Sequence, residues 1–554
     1  MQKTAKIGDA LIDEGKITQE QLSKALLIQK ESNFSKKLGE IFVDEGLISE
    51  KEFAKILASQ LDFEFIDLYN INIDFSLLKN FSLNMLKSTD SIIIKEDEDF
   101  IHIAISDPLN YEYMELLERN IVTKPIKYYI SLKSDIKYIF ERFEIIETAR
   151  TLMEKVKNEI NSKEFKLDNK QSSIMLLIEQ IIKSAIRNGA SDIHIEPNNT
   201  DVSVRNRVDG VLREVFVLDI EVYNALASRI KILGNLDISE KRRSQDGRFS
   251  MIVNSNQYDF RLSTAPTLYG ESIVMRILDQ QKILLKLEQL GMSEKNLKKF
   301  QTLLEAPYGI VFVTGPTGSG KTTTLYAALN DIKDIEHKII TIEDPIEYQL
   351  SLVQQIQINE KIDYSFNNVL RSVLRQDPDI IMIGEIRDEE TLNTAVGASL
   401  TGHLVFSTLH TNDAPSAITR MIQMGLQPYL AADSLVGIVT QRLVRKICKS
   451  CKREHKPHLS LTKKVSQYLP EKYIFYNGKG CVKCNFSGYL GRVMICEILQ
   501  INDALSTKIS QEKNRFEILQ EALKYGYEPM LIDGIDKALN GTISLEEVLR
   551  VVKV

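Results

Sequence analysis

The octapeptide at residues 315–322 reads GPTGSGKT and fits the pattern G-x-x-x-x-G-K-[ST] at every position. An apolar stretch, Gly309–Thr314, predicts a strand before it, and Thr322–Asp331 predicts a helix after it. Glycines let backbone N–H groups wrap a phosphate chain because no Cβ is in the way, and the helix N-terminus adds positive potential. This order of elements indicates a phosphate-binding loop in an α/β fold rather than a chance glycine-rich segment.

The residue types of this loop indicate which ligand it binds. Lys321 can reach the β- and γ-phosphates of a nucleoside triphosphate, and the Thr322 hydroxyl can bind Mg²⁺. We therefore expect ATP and Mg²⁺ as ligands. The predicted nucleotide-binding residues are Gly315, Pro316, Thr317, Gly318, Ser319, Gly320, Lys321, Thr322 and Thr323.

From about residue 309 onward, apolar strands alternate with helices, which favours a doubly wound parallel sheet. The predicted strand Lys338–Ile342 is followed by Glu343 and Glu347. A carboxylate at this place can orient or activate an attacking water molecule. Acidic residues commonly end strands, so the pattern alone does not separate a catalytic carboxylate from a structural one.

Two more predicted strands bring candidate residues to the same region. Ile380–Ile383 ends at Gly384-Glu385, where most phosphate-loop NTPases carry a Mg²⁺-binding Asp at the glycine position. Thr322, bound water and Glu385 are then left to bind the metal. His403 and His410 bracket the next strand. Paired histidines near a phosphate site can sense the γ-phosphate, and a structural role fits the spacing of either one equally well.

Length and composition restrict the class of protein. A chain of 554 residues exceeds what one hydrophobic core supports, and its 43% hydrophobic and 26% charged residues are ordinary for folded domains. The net charge of −6 and the lack of Trp argue against direct nucleic-acid binding. The opening residues lack the apolar core of a secretion signal, and no apolar run reaches the length of a spanning helix. We therefore expect a cytoplasmic protein that meets membranes through partners.

The cysteines form a second candidate site. Four of the five lie in two tight pairs, Cys448-x-x-Cys451 and Cys481-x-x-Cys484. Two such knuckles can supply a closed tetrahedral set of thiolates, which suits a structural Zn²⁺. Four separate thiols are the alternative, and the paired spacing disfavours it. Cys496 is predicted to be an ordinary buried thiol.

Four motifs occur in order in the second half of the chain: GPTGSGKTT, TIEDPIEY, LRQDPDIIMIGEIRD and TGHLVFSTLHTNDAP. They resemble the Walker A motif, Asp box, Walker B motif and His box of the secretion ATPase superfamily, the motor ATPases of type II secretion and type IV pilus assembly. The resemblance is specific over residues 172–554 and looser over residues 1–145. It implies an α/β fold with a RecA-like P-loop ATPase core, a preceding small α+β (PAS-like) domain, a helical or mixed N-terminal domain and a zinc-binding insertion.

The resemblance also implies a function. It implies a homo-hexamer that couples ATP hydrolysis to assembly of a pseudopilus or pilus, in type II secretion, type IV pilus extension or competence. The implied partners are inner-membrane platform and cytoplasmic-adaptor proteins, bound through the N-terminal domain at the inner membrane. A RecA-like nucleic-acid motor and a cyclic di-GMP-regulated variant of the same motor are the alternatives. An ABC transporter subunit would need an LSGGQ-like segment before the Walker B motif, and the sequence has none.

Residue roles follow by position from the resemblance. Glu347 is the expected catalytic base, Glu343 is the second candidate, and Glu385 is the Walker B carboxylate. His403 and His410 are the His-box residues.

Arginines from the preceding small domain complete the expected catalytic set. Arg261 and Arg276 match the arginine fingers of the superfamily, and such a finger is worth about 10³–10⁵ in rate. A surface salt bridge is the alternative for each. Further arginines match superfamily positions of less defined role: Arg371, Arg375 and Arg387.

An internal repeat opens the chain, with residues 6–29 aligning to residues 37–60. Each copy predicts a helix, a glycine-marked turn and a second helix. The repeat resembles a module that binds cyclic di-GMP in some members of the superfamily. Lys6 and Lys37 stand where that module has arginine, and lysine can neither stack on guanine nor form the planar fork of a guanidinium. Docking to a membrane partner is therefore the preferred interpretation.

The small domain before the ATPase core predicts short strands joined by tight turns, with hairpin turns expected at Asp209-Gly210 and Asp246-Gly247. The expected domains are 1–145 (docking and regulation), 146–171 (linker), 172–280 (small α+β domain with the arginine fingers), 281–445 (RecA-like ATPase domain), 446–495 (tetracysteine zinc subdomain) and 496–554 (C-terminal helical region).

Overall fold

The computed structural model describes residues 7–13, 15–31, 37–48, 50–68, 71, 73, 75–78, 81–121, 123–161, 172–279, 285–359, 362–484 and 487–553. The chain forms two compact units. One comprises Met1–Ile181 and Gly480–Phe486, and the other comprises Ile182–Lys479 and Ser487–Val554.

Four helices form the repeat in the first unit: α1 (Ile7–Asp13), α2 (Gln19–Glu31), α3 (Leu38–Asp44) and α4 (Glu50–Gln60). Gly15 and Gly46 take left-handed φ angles of 68° and 67° in the turns between the paired helices, a conformation that glycine adopts without strain. A Cβ on Gly39 would lie 2.2 Å from Cζ of Phe53, so this glycine also permits the close packing of α3 on α4. Lys6 lies outside the described residues.

The rest of the first unit surrounds a four-stranded sheet in the order β1-β4-β3-β2, in which β2 and β3 are antiparallel and β4 is parallel to both its neighbours. Its elements are β1 (Glu64–Phe65), α5 (Phe75–Leu78), α6 (Leu83–Ser88), β2 (Ser91–Glu96), β3 (Ile101–Ile105), α7 (Tyr111–Asn120), β4 (Ile126–Ile130) and α8 (Lys133–Asn161). α8 starts well before the predicted linker at residue 146 and runs through the first part of it. Residues 162–171 of that linker lie outside the described residues.

A small α+β domain begins with α9 and carries a six-stranded antiparallel sheet in the order β7-β6-β5-β10-β9-β8. Its elements are α9 (Ser173–Arg187), β5 (Ala190–Pro197), β6 (Val202–Val208), β7 (Val211–Leu218), α10 (Ile220–Leu233), β8 (Gln245–Val253), β9 (Asn256–Thr267) and β10 (Gly270–Asp279). Asp209-Gly210 forms the predicted hairpin turn between β6 and β7, with φ angles of 50° and 83°.

The second predicted hairpin turn is wrong. Asp246 and Gly247 lie inside β8, and the turn to β9 is made by Asn254 and Ser255, whose φ angles are 50° and 66°. Gly247 serves a different purpose, because a Cβ there would lie 2.3 Å from the carbonyl oxygen of Gly234. The glycine marks a close approach of two backbone segments within the domain, not a reversal of the chain.

The predicted ATPase core contains a seven-stranded sheet in the order β13-β12-β14-β15-β11-β16-β19. All its neighbouring strands are parallel except β19, which pairs antiparallel with β16. Buried side chains cover both faces of the sheet, as a doubly wound fold requires. The elements are α11 (Glu294–Leu304), β11 (Gly309–Thr314), α12 (Lys321–Ile332), β12 (Ile339–Glu343), β13 (Val353–Gln357), α13 (Phe366–Val373), β14 (Ile380–Ile383), α14 (Glu389–Leu400), β15 (Leu404–Leu409), α15 (Ala414–Gln423), α16 (Pro428–Ser434), β16 (Leu435–Ile447) and β19 (Tyr489–Gln500).

The cysteine-bearing segment lies between β16 and β19. It contains a two-stranded antiparallel sheet of β17 (Lys452–His455) and β18 (Phe475–Gly478), the short α-helix α17 (Leu459–Val465), and 3-10 turns at Ser466–Tyr468 and Val482–Cys484. The chain ends in α18 (Asp503–Ser510), α19 (Arg515–Lys524), α20 (Met530–Leu539) and α21 (Leu545–Val551). The expected domain limit at residue 495 falls inside β19, a strand of the central sheet. Among the described residues, no helix has the length and apolarity needed to cross a membrane.

Candidate active site

The phosphate-loop motif lies where β11 meets α12. β11 ends at Thr314, α12 begins at Lys321, and Gly320 is the N-cap with φ 89°. Gly315 and Gly318 also have positive φ angles, 144° and 77°, which explains why glycine occupies these positions. The loop is followed directly by a helix N-terminus, so its geometry fits a phosphate chain.

Lys321 folds over its own loop. Its Nζ donates hydrogen bonds to the carbonyl oxygens of Gly315 at 2.9 Å and Pro316 at 3.3 Å. Burial lowers the pKa of Lys321 from its ordinary value, and the nearby Glu385 carboxylate acts in the opposite direction. A buried ammonium is stabilised by an anion, so a phosphate group is a better partner for this side chain than two carbonyls. Thr322 and Thr323 are exposed at the start of α12, where the Thr322 hydroxyl is open to a metal ion.

Glu385 lies at the same edge of the sheet, just beyond β14. Its carboxylate pairs with Arg387, and Nε2 of His410 lies 3.6 Å from its Oε2. β11, β14 and β15 run parallel and in register, so the residues after their carboxyl ends meet at one edge. The structure therefore brings Lys321, Glu385 and His410 together.

His403 does not join this group. It precedes β15, and its carbonyl accepts a hydrogen bond from the backbone N–H of Gly309 at the start of β11. Its Nδ1 lies 2.9 Å from the carbonyl of Ala398. The whole of β15, about 20 Å of strand, separates His403 from the phosphate loop in the same chain. Within one chain the two histidines therefore do not flank the same phosphate site, because a six-residue strand places its two ends at opposite edges of the sheet.

Glu343, the second candidate for the base, is buried and fully engaged. It is the last residue of β12 and is 3% exposed. Its carboxylate accepts from Thr341 Oγ1 at 2.6 Å, from Gln355 Nε2 at 3.1 Å and from the hydroxyl of Tyr326. That hydroxyl in turn accepts from the backbone N–H of Glu347 at 3.3 Å. Glu343 thus supports the loop that carries Glu347 and has no open face toward water.

Glu347 lies beyond this network and pairs with an arginine from the small domain. Arg261 Nη2 is 3.0 Å from Glu347 Oε2, and Nη1 is 3.2 Å from Oε1, which is a two-pronged contact. The side chains are 21% and 27% exposed. The ion pair therefore connects β9 of the small domain to the loop after β12 of the ATPase core.

Arg261 belongs to a row of arginines on neighbouring strands. It lies opposite Arg276 on β10 and opposite Arg248 on β8. Arg276 donates from Nε to Asp192 Oδ1 at 3.0 Å, and its side chain is 57% exposed. The three arginines line an open cavity of 520 Å³ together with Asp344 and Pro345 of the ATPase core. The sequence did not single out Arg248, because the wrongly predicted turn put it at the start of a strand. With the turn at residues 254–255, the register of β8 on β9 places Arg248 opposite Arg261.

A second cavity, of 480 Å³, adjoins the other side of α12. Thr323 lines it on the ATPase side, Asp209 on the small-domain side, and Leu285 and Leu490 add apolar surface. The Asp209 carboxylate accepts from the backbone N–H of Gly491 at 2.7 Å. The phosphate-loop motif marked Thr323 alone, because the other three residues come from separate parts of the chain.

The three arginines of less defined role bond to groups of their own domain. Arg371 pairs with Glu390 at 2.7 Å, and Arg375 donates to the carbonyl of Arg371 at 2.8 Å near the end of α13. Arg387 pairs with Glu385.

The four paired cysteines have their Sγ atoms within 4.8 Å of one another. Backbone hydrogen bonds position the segment: the N–H of Cys448 donates to the carbonyl of Gly488, and that of Lys479 to the carbonyl of Cys451. Sγ of Cys481 and Sγ of Cys484 are 3.6 Å apart, close to the edge of about 3.8 Å of a tetrahedron of sulfurs about 2.3 Å from a Zn²⁺. Three of the four residues are buried, and buried thiolates require a cation. The donor set fits a metal ion. Cys496 is separate, and burial raises the pKa of its thiol to about 12.

Comparisons with known proteins agree with this architecture. Residues 167–550 match the family described as Type II/IV secretion system protein, and residues 61–149 match the MshEN domain. The chain is 41% identical over 480 residues to the Type II secretion system ATPase E of Vibrio cholerae, covering 83% of this chain and 94% of that protein. It is 45% identical over 392 residues to the Type IV pilus assembly ATPase TfpB of Acinetobacter baylyi, covering 70% of this chain and 66% of that protein.

Among solved structures, the ATPase DotB of Legionella pneumophila aligns with a TM-score of 0.51 at 20% identity, covering 67% of this chain and 94% of that one, and supports the fold alone. The family match spans most of the chain, and members of this family use a nucleotide with Mg²⁺. The chain therefore belongs to the Type II/IV secretion system protein family and is an ATP-hydrolysing enzyme.

Proposed function

We propose that this chain is a motor that hydrolyses ATP between the phosphate loop of its core and the arginines of its small domain, and that the resulting domain movement drives assembly of a pseudopilus or pilus. The observation that carries the proposal is the ion pair between Arg261 and Glu347. It joins the arginine expected to act on the γ-phosphate to the carboxylate expected to act on water, and the two lie on different domains.

The chain's own groups bind the nucleotide. The backbone N–H groups of residues 315–322 wrap the phosphates, Lys321 leaves its two carbonyl partners for the β- and γ-phosphates, and Thr322 offers its hydroxyl to Mg²⁺. When bound, Mg²⁺ neutralises developing charge on the phosphates. We assign the nucleoside to the 480 Å³ cavity beside Thr323, because that cavity adjoins the start of α12 and has apolar walls.

Glu347 is the proposed catalytic base. Glu343 is buried beneath it and acts through Tyr326, so we assign it a positioning role. Glu347 can accept a proton from water only when its oxygens are not both held by Arg261. Glu385 and His410, next to Lys321, are positioned to meet the metal and the γ-phosphate.

Movement of the small domain follows when Arg261 exchanges Glu347 for the γ-phosphate. ATP supplies a competing anion for Arg261, and a guanidinium that moves from Glu347 to the γ-phosphate frees the base and neutralises the transition state at once. Because Arg261 is fixed on β9, the whole small domain must shift with it. Hydrolysis removes the γ-phosphate and lets the pair with Glu347 form again.

Arg276 and Arg248 extend the basic row into an open cavity, which leaves room for groups of a second subunit. This supports a homo-hexamer with active sites near subunit boundaries, as the family resemblance implies. His403, at the far edge of the sheet, would then act on a boundary other than that of its own phosphate loop or have a structural role alone.

The relatives' names support the place of the motor in a larger machine. A type II secretion ATPase and a type IV pilus assembly ATPase are both among them. We propose that the first unit docks onto inner-membrane platform and adaptor proteins, which puts the chain at the cytoplasmic face of that membrane. For the cysteine site we propose one structural Zn²⁺ held by Cys448, Cys451, Cys481 and Cys484.

Regulation by cyclic di-GMP is a second candidate for the first unit, favoured by the MshEN domain match at residues 61–149. Lys37, one of the two lysines in place of arginine, already pairs with Asp107. We therefore expect no saturable cyclic di-GMP binding in calorimetric titration of the full chain, and micromolar binding would establish the regulated variant instead.

The motor proposal is tested on the assembled full-length protein by phosphate release from Mg-ATP. Glu347→Gln should retain ATP binding and lose turnover by about 10²-fold or more, because the amide cannot accept the proton. Glu336→Gln, an exposed change of the same chemistry, is the matched control and should turn over normally. Normal turnover in Glu347→Gln, or stimulation of the wild type by DNA alone, would contradict the proposal.

A further inference from the structure

Gln441 is a fully buried polar side chain that no motif includes. It lies on β16 directly behind the phosphate loop and is 0% exposed. Its Nε2 donates to the carbonyl oxygen of Ser319 at 2.9 Å, and its Oε1 accepts from the hydroxyl of Thr324 at 2.9 Å. One amide therefore holds the end of the loop and the first turn of α12 at the same time.

The sheet register explains why Gln441 reaches the loop. Thr314, the last residue of β11, pairs with Thr440 on the parallel strand β16, and their hydroxyls are 2.7 Å apart. At this point β11 gives way to the loop, while β16 continues for several residues. Gln441 is the first residue of β16 after the segment that pairs with β11, so its side chain contacts the phosphate loop rather than β11.

The loop is shaped around this residue. A Cβ on Gly315 would lie 2.5 Å from the carbonyl oxygen of Gln441, and a Cβ on Gly320 would lie 3.3 Å from its Nε2. The first and last glycines of the motif thus both pack against Gln441. Their lack of a side chain allows contact with β16 as well as access for phosphates.

The bond to Ser319 determines where the next N–H points. The peptide linking Ser319 to Gly320 is planar, and in a trans peptide the carbonyl and the N–H point in opposite directions. When Gln441 holds the Ser319 carbonyl against β16, the N–H of Gly320 must face the concave side of the loop. That side is where a phosphate chain binds, and Gly320 is the N-cap of α12, where the helix adds positive potential.

We propose that Gln441 is a positioning residue that aims the Gly320 N–H at the β-phosphate of the nucleotide. The inference rests on the proposed nucleotide site. Without the amide, the Ser319–Gly320 peptide can rotate, and one phosphate-binding donor is lost from the apo loop. The lost donor binds the β-phosphate, which ADP has and AMP lacks. Affinity for ADP therefore depends on Gln441, and affinity for AMP does not.

The test compares Mg-ADP and AMP binding by isothermal titration of the full chain. Gln441→Met keeps the length of the side chain and removes both hydrogen bonds. The Kd of Mg-ADP should rise about tenfold to a hundredfold, the effect of losing one hydrogen bond to a charged group, with AMP affinity within about twofold of wild type. Thr440→Val is the matched control, because it removes one buried hydrogen bond on the same strand, and it should leave both affinities unchanged.

A second variant covers the case in which Gln441→Met does not fold. Gln441→Asn keeps the amide and draws it back by about 1.5 Å, one C–C bond, out of hydrogen-bond reach of Ser319, so the same selective loss is expected. Unchanged Mg-ADP affinity in either folded variant, or an equal loss for ADP and AMP, would overturn the positioning role. Failure of the wild type to bind Mg-ADP would instead refute the proposed nucleotide site itself.

Discussion

Replacing Arg261 by alanine tests the link between the small domain and the chemistry. The change removes the hydrogen bond from Nη1 to Glu347, the ion-pair contact of Nη2 with the same carboxylate, and the cation expected to meet the γ-phosphate. These two consequences differ greatly in size, and the structure allows each to be worked out.

The loss in stability is small. The pair spans 3.0 and 3.2 Å, and its side chains are 21% and 27% exposed, so water and salt screen it. A partly exposed pair of this kind contributes about 1 kcal/mol or less to the free energy of unfolding, which corresponds to a Tm decrease of about 4 °C at most. The loss in rate is large, since an arginine finger is worth about 10³–10⁵ in kcat, or about 4–7 kcal/mol of transition-state stabilisation.

The assay is phosphate release at saturating Mg-ATP by assembled protein, with Tm measured in parallel. Arg242→Ala is the matched control because its side chain lies in the same domain and is 90% exposed. We expect normal turnover in the control and at least a thousandfold decrease in Arg261→Ala, with nearly unchanged Tm. A normal rate in Arg261→Ala would refute the finger role. An increased rate would show instead that the arginine only restrains Glu347.

Three further predictions follow from other parts of the molecule. Lys321→Ala should abolish Mg-ATP binding and turnover while leaving the fold intact, since within the described part of the chain the lysine hydrogen-bonds only to its own loop carbonyls at 2.9 and 3.3 Å; wild-type turnover would refute the site assignment. Elemental analysis of freshly purified protein should find one Zn²⁺ per chain, and Cys448→Ser should reduce that content and lower the Tm. Wild-type protein that has the same Tm with and without metal would contradict the zinc proposal. Burial acts to raise the pKa of Glu547, but hydrogen bonds from Arg445 and Arg550 outweigh it and lower that pKa to about 2, from 4.5 in the unfolded chain. A depressed carboxyl pKa stabilises the fold above the unfolded value and loses this effect as pH falls toward 2. The Tm gap between wild type and Glu547→Gln should therefore be widest above pH 5 and close on acidification; a constant gap would contradict the assignment.

Much of the ATPase core could be predicted because its signals are local. The strand Gly309–Thr314 was predicted with the bounds that β11 has, and Ile380–Ile383 matches β14. A continuous apolar run between turn residues fixes a buried parallel strand without reference to the rest of the fold. The glycines of the phosphate loop are equally local, since each reflects a backbone angle at its own position.

The small domain could be predicted less well because two signals competed for one turn. Asp246-Gly247 has the composition of a hairpin turn, but Asn254-Ser255 makes the reversal. Asp246-Gly247 stays in the strand because Gly247 packs against the backbone of Gly234, a contact that sequence spacing does not reveal. This one error hid Arg248, since cross-strand partners depend on where the turn lies.

The sequence by itself determined the chemistry of this protein: a phosphate loop, acidic residues after neighbouring strands, and two cysteine pairs suited to a metal. These are properties of short segments, in which residue type and spacing set backbone angles and ligand atoms directly. Only the tertiary structure decided which candidates share a site. It paired Arg261 with Glu347, buried Glu343, moved His403 to the far edge of the sheet and put Gln441 behind the loop. The physical reason is that strand order and register, which arise from packing of the whole domain, decide which distant residues meet.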